Sequence, residues 1–156
     1  MRNGMESVNI TYENIIGIPG ADLLRELSKL YIQLFDDADL DFFKKRIRAH
    51  EDIFTVIARN EGQLIGFKMG YPILDNTFYS WIGGVIMPFR NKGIANRLAQ
   101  IQEDWVKENK FAVLKTKSMN RFKPMMMLNL KRGFDITKVY TNEKGQTKIV
   151  FRKSIT

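Results

Sequence analysis

The sequence predicts a mixed α/β domain: one sheet with helices on its faces. Three observations carry this. Apolar runs of strand length alternate with segments of helical periodicity, in the order β-α-α-β-β-β-α-β-α-β-β. Two stretches, "NEG" (60–62) and "TNEKG" (141–145), lie between strand-like runs and read as hairpin turns. The chain has 156 residues, 44% of them hydrophobic, which suits a single domain over 1–156 with a core of its own.

The elements follow in order. A short run at 8–12 reads as a strand. "ADLLRELSKLYIQLF" (21–35) spaces Leu23, Leu27, Leu30 and Leu34 as one helix face. "DDADLDFFKKRIRAH" (36–50) reads as an acidic connection and a second helix, capped by Asp39 or Asp41, with basic residues in its later turns. "IFTVIAR" (53–59) and "QLIGFKMGY" (63–71) form the first hairpin. "TFYSWIGGVIM" (77–87) is a strand holding Gly83 and Gly84, where paired glycines point to a bulge or a close backbone approach. A third helix follows Gly93, with Ile94, Leu98, Ile101 and Trp105 on one face. "FAVLKTK" (111–117) is the next strand. "KPMMMLNLKRGF" (123–134) is a short helix with Pro124 near its start and Gly133 just past its end. "FDITKVY" (134–140) and "QTKIVFRK" (146–153) form the second hairpin.

Composition removes several classes of function. No cysteine is present, which excludes disulfides, thiolate metal sites and a cysteine nucleophile, and suits a cytoplasmic protein. A single histidine, His50, does not support a histidine-based metal site or a catalytic triad, so no metal is expected. The N-terminal "MRNGMESVN" lacks the apolar region of a secretory signal, and no apolar stretch is long enough to cross a membrane.

The net charge of +8 is uneven. Residues 1–89 hold 9 Lys/Arg against 12 Asp/Glu, a net of −3, and residues 90–156 hold 16 against 5, a net of +11. The basic part fits an anionic partner (nucleic acid, a membrane surface or a phosphorylated cofactor), with a solvated surface as the plainer explanation. Nucleic acid is not the expected one, because in the sequence the cations are scattered and lack interleaved aromatics.

The informative stretch is "RNKGIA" (90–95), at the joint between a strand and a helix. The first amides of a helix lack intrahelical acceptors and sit at the positive end of its dipole, so they bind anions. A glycine lets a phosphate approach the backbone, and Arg90 and Lys92 add charge. Neither GxxxxGK[ST] nor GxGxxG occurs, which sets aside a P-loop and a dinucleotide fingerprint.

With this loop the chain resembles the GCN5-related N-acetyltransferase (GNAT) family. Its acetyl-CoA loop, Q/R-x-x-G-x-G/A, is met by Arg90-Asn91-Lys92-Gly93-Ile94-Ala95; Val85 lies five residues earlier, like the family's strand valine, and "LKRGF" (130–134) looks like its K-x-G-F. The resemblance implies a mixed, mostly antiparallel sheet of about seven strands with about four helices, strands 4 and 5 splayed. It implies acetyl-CoA as co-substrate, with the amides of Arg90, Asn91, Lys92, Gly93, Ile94, Ala95 and Asn96 holding the pyrophosphate. Gly84 and Val85 would pair with the pantetheine arm. Family members often carry a tyrosine four residues before the K-x-G-F glycine, where it protonates the leaving thiolate. Here Asn129 stands there, a poor proton donor that would instead order the pantetheine end.

The implied reaction is direct acetyl transfer to a primary amine. A base must take a proton, and the strand 77–87 holds no carboxylate. Tyr79, Tyr140 and Asp75 are replacements that the sequence does not rank, so no catalytic residue is assigned. The acidic "DDADLD" (36–41) suggests a cationic acceptor, with helix capping as its plainer explanation. A non-catalytic acetyl-CoA sensor and a basic nucleic-acid-binding protein are the competing readings. A homodimer is compatible with the chain.

Overall fold

The computed structural model describes residues 9–74 and 76–155. The strands are β1 (Ile10–Ile16), β2 (Phe54–Asn60), β3 (Gln63–Leu74), β4 (Thr77–Val85), β5 (Val113–Met119), β6 (Asp135–Thr141) and β7 (Thr147–Ser154). The helices are α1 (Ala21–Leu34), α2 (Leu40–Arg48), α3 (Ile94–Glu108) and α4 (Lys123–Lys131), with a 3₁₀ turn over Met87–Phe89. The seven strands form one sheet in the order β1-β2-β3-β4-β5-β7-β6. The sheet is mostly antiparallel; β4 and β5 run parallel. Among the described residues their pairs end at Ser80↔Thr116, although both strands continue, as the expected splay requires. The order of elements is the one the sequence predicts.

The chain forms two compact units: Met1–Met69 with Ile82–Gln102, and Gly70–Trp81 with Glu103–Thr156. In the first, α1 and α2 pack through aromatic contact. Tyr31 stacks on Phe43 at 4.2 Å, and Phe43 meets Phe67 edge-on at 6.3 Å. Asp39 caps α2 by accepting from the Phe42 amide at 3.1 Å, while its own amide donates to the Tyr31 hydroxyl at 3.0 Å. The hairpin β2–β3 turns through Glu61 and Gly62, both at positive φ (49° and 87°), a two-residue turn whose twist matches the strands it joins.

In the second unit Phe78, Trp105 and Phe111 pack edge to edge. Glu103 of α3 accepts two bonds from Lys153 of β7, both at 3.0 Å, and one from Arg132 at 3.2 Å. Gly133 at φ 91° ends α4, and Asn142 accepts from the amides of Lys144 and Gln146 to close the second hairpin turn.

Besides shifts of a few residues in β1 and β5, two boundaries and the buried stripe of α3 differ from expectation. β3 runs past Pro72 to Leu74, because the fixed φ of proline is compatible with extended backbone. β4 stops at Val85, where the 3₁₀ turn containing Pro88 begins. On α3 the buried positions are Ile94, Leu98, Ala99, Gln102 and Val106, while Ile101 and Trp105 are half-buried; the packed stripe steps by four residues rather than three and four.

Candidate functional site

The first unit brings nine sequence-predicted residues into one continuous segment, from Gly84 and Val85 at the end of β4 to Arg90–Asn96 at the start of α3. The approach to this segment depends on the glycines of β4. A Cβ on Gly83 would lie 2.7 Å from the Phe67 carbonyl oxygen, and one on Gly84 would lie 3.0 Å from Leu34 Cδ1. Neither has positive φ. The pair therefore allows close approach of β3 and of the α1 leucine.

The loop itself is set by backbone conformation. Asn91 and Gly93 have φ of 62° and 80°, with Lys92 between them. Such alternation turns successive amides toward one concavity, a nest suited to an anion. Among the described residues, the amides of Asn91, Lys92, Gly93, Ile94 and Ala95 have no hydrogen-bond acceptor. They sit at the N-terminus of a fifteen-residue helix with no acidic side chain in its first turn. Asn91, Lys92 and Gly93 are exposed, and a Cβ on Gly93 would have nothing within 4 Å. The glycine is needed for its φ and for open backbone, not to relieve a clash.

Arg90 departs from its expected part. Its amide donates to Met87 O at 3.1 Å, and its Nε donates to Val85 O at 2.8 Å. It closes the turn between β4 and α3, so the row of amides without an acceptor starts at Asn91. The Ile86 amide is likewise engaged with Ile65 O at 3.0 Å, so it is not a donor for an oxyanion.

Asn129 lies in the second unit, on α4, and is described by itself. It is buried, its carbonyl accepts from the Phe134 amide at 3.0 Å, and its side-chain Nδ2 has no acceptor among the described residues. An orphaned buried donor of this kind calls for a ligand carbonyl or a water. Of the three residues weighed as base, Asp75 lies outside the described residues. Tyr79 and Tyr140 both face the Lys117 ammonium, at 5.9 and 5.6 Å.

The second unit also holds a cluster that sequence reasoning missed. Directly paired residues share a sheet face. The registers Tyr79↔Lys115, Lys115↔Arg152, Lys117↔Val150 and Met119↔Lys148 place Lys115, Lys117, Lys148 and Arg152 on one face. Lys138↔Val150 and Tyr140↔Lys148 add Lys138 and Tyr140. Burial first, then the charges of Lys117, Arg152 and Lys138, hold the Lys115 ammonium below its ordinary pKa, against an opposing pull from Tyr140. The alternation in "LKTK" (114–117) was a signal for part of this face, but only the register joins the three strands.

Comparison with known proteins agrees with this architecture. The profile of the acetyltransferase (GNAT) family matches residues 21–123, and the chain belongs to that family. Among solved structures, Arabidopsis thaliana NAA60 in complex with acetyl-CoA shares the fold with a TM-score of 0.75 at 18% identity, over 94% of this chain and 99% of that one. A GNAT family acetyltransferase from Elizabethkingia anophelis with acetyl-CoA bound gives 0.74 at 19% identity, over 94% and 98%. Ard1 from Thermoplasma volcanium gives 0.78 at 13%, again over 94% and 98%. No curated protein matches the chain in sequence. Among the described residues, no helix is long and apolar enough to cross a membrane, and no group of three or more His, Cys, Asp or Glu is placed to hold a metal.

Proposed function

We propose that the protein is an acetyl-CoA-dependent N-acetyltransferase that passes its acetyl group directly to a primary amine. The observation that carries this reading is the row of unpaired amides from Asn91 to Ala95 at the start of α3, in a chain of this family. These amides bind the pyrophosphate, and exposed Lys92 adds a positive charge beside them. The backbone at Gly84 and Val85 pairs with the pantetheine arm, with Arg90 holding the Val85 carbonyl in place. In the second unit, the buried Asn129 Nδ2 is a donor free for a ligand carbonyl or a water.

The amine nitrogen attacks the thioester carbonyl, the C–S bond breaks, and the amine proton ends on the CoA sulfur. No cysteine exists to carry the acetyl group in between, so transfer takes place without an acyl-cysteine intermediate. The chain supplies position and hydrogen bonds; Asn129 supplies no proton, so the thiolate draws its proton from elsewhere.

Thiol release from acetyl-CoA with a panel of primary amines tests this. Release that depends on the amine, matched by an acetylated product, is expected. Tight acetyl-CoA binding with no release for any amine would make the protein a sensor instead. Salt-dependent DNA or RNA binding without acetyl-CoA binding would make it a nucleic-acid binder.

A further inference from the structure

From the β5–β7–β6 face we infer that the acceptor amine carries an anionic group, a carboxylate or a phosphate, and that Lys115, Lys117, Lys138, Lys148 and Arg152 bind it. The inference rests on the transferase reading and names the acceptor's chemistry.

Four observations support it. First, the five cations come from three neighbouring strands onto one face through paired registers. Adjacent strands lie about 4.8 Å apart and alternate residues about 6.7 Å along a strand, so the charges form a dense patch. Second, among the described residues none of the five has a carboxylate within ion-pair distance. Asp135 shares the register position of Arg152 and still forms no ion pair. Third, the cations repel one another. Lys115 is held below its ordinary pKa by burial and by its cationic neighbours, so an arriving anion gains from every one of them. Fourth, on the transferase reading the CoA pyrophosphate has donors of its own in the amides of Asn91 to Ala95, which leaves this face for another anion.

The face also has aromatic walls. Lys117 Nζ lies over the rings of Tyr79 and Tyr140, and Lys138 Nζ lies 5.2 Å from the Tyr140 ring centre. The rings hold the ammonium groups in place and leave their N–H donors to a ligand. By contrast, the acidic connection that suggested a cationic acceptor loses part of its force, because Asp39 is engaged as the cap of α2.

An anionic amine can be a small amino acid or the amino terminus of an acidic peptide, and the experiment separates them. The probes are glutamate, a glutamate-rich hexapeptide and a lysine-rich hexapeptide, both peptides with free amino termini. Thiol release is measured at low and high salt, and binding of a labelled glutamate-rich hexapeptide is followed by anisotropy. The wild type should favour an acidic acceptor over the lysine-rich peptide at least tenfold in kcat/KM at low salt, and the gap should narrow as salt rises. Preference for free glutamate assigns the small source; preference for the glutamate-rich peptide assigns the peptide source. Replacing exposed Lys117→Glu with Lys138→Glu should raise KM for the acidic acceptor at least tenfold, with kcat and acetyl-CoA affinity nearly unchanged. Lys117→Gln alone should show a smaller rise in the same direction. Equal or better use of the lysine-rich peptide, or unchanged KM and anisotropy in the double variant, overturns the inference. So does single-stranded RNA that binds this face while acidic amines are neither bound nor acetylated. Failure of acetyl-CoA to bind the wild type would instead reject the transferase reading, and the anisotropy measurement stands apart from that result.

Discussion

Arg152 and Lys153 are neighbours on β7, yet they point to opposite faces and meet opposite surroundings. Lys153 donates to both oxygens of Glu103 and to Arg132 O, and Arg132 reaches the same carboxylate. Arg152 joins four lysines and, among the described residues, forms no ion pair, even with Asp135 opposite it. The same charge thus holds the fold together on one face and is left without an ion pair on the other. A cation informs about binding only when the structure leaves it unneutralised.

The largest effect expected from this contrast follows Glu103→Ala. It would strand two cations that are mostly shielded from water and lower stability by about 3 kcal/mol, read from denaturant midpoints. Lys117→Ala on the other face should change stability by less than about 0.5 kcal/mol. Similar losses at the two positions would break the comparison.

A smaller effect is expected at Lys115, whose folded pKa is lowered. The folded state then binds fewer protons there than the unfolded chain, so its penalty is fully present below the folded pKa and disappears as pH rises through the ordinary lysine value. Lys115→Met should stabilise the protein at neutral pH, and this gain should vanish at strongly alkaline pH. A gain independent of pH would point to packing instead.

The smallest effect concerns the half-buried pair Arg59–Glu26, at 2.8 Å. The hydrogen bond from Arg59 lowers the Glu26 pKa. The stability it contributes is present above the ordinary glutamate value and is lost as pH falls through the lower, folded one. Glu26→Gln should therefore flatten the acid limb of the stability profile slightly. An unchanged limb would remove this pair from the account.

The sequence shows these features unequally. The order of elements, the Asp39 cap, both hairpins and the loop before α3 are local signals, carried by a few adjacent residues each. The structural part of Arg90 is not legible in the sequence, because its side chain answers a carbonyl five residues back, a contact that spacing alone does not announce. The second half of the α3 stripe shifted because Gln102 and Val106, not Ile101 and Trp105, face inward. The cationic face was invisible for a deeper reason. Lys115, Lys138 and Arg152 are far apart in the chain, and only strand register makes them neighbours.

Isothermal titration of acetyl-CoA into the wild type and Gly93→Val tests the central assignment most directly. At φ 80° a valine is strained by about 1–2 kcal/mol or more, and its side chain adds bulk beside the amides proposed to hold the phosphate. Asn91→Gly, which keeps access to positive φ, serves as the control for a loop that still forms. The predicted result is binding by the wild type and by Asn91→Gly, and a loss of more than tenfold in Gly93→Val. Equal acetyl-CoA affinity in the wild type and Gly93→Val would contradict the account.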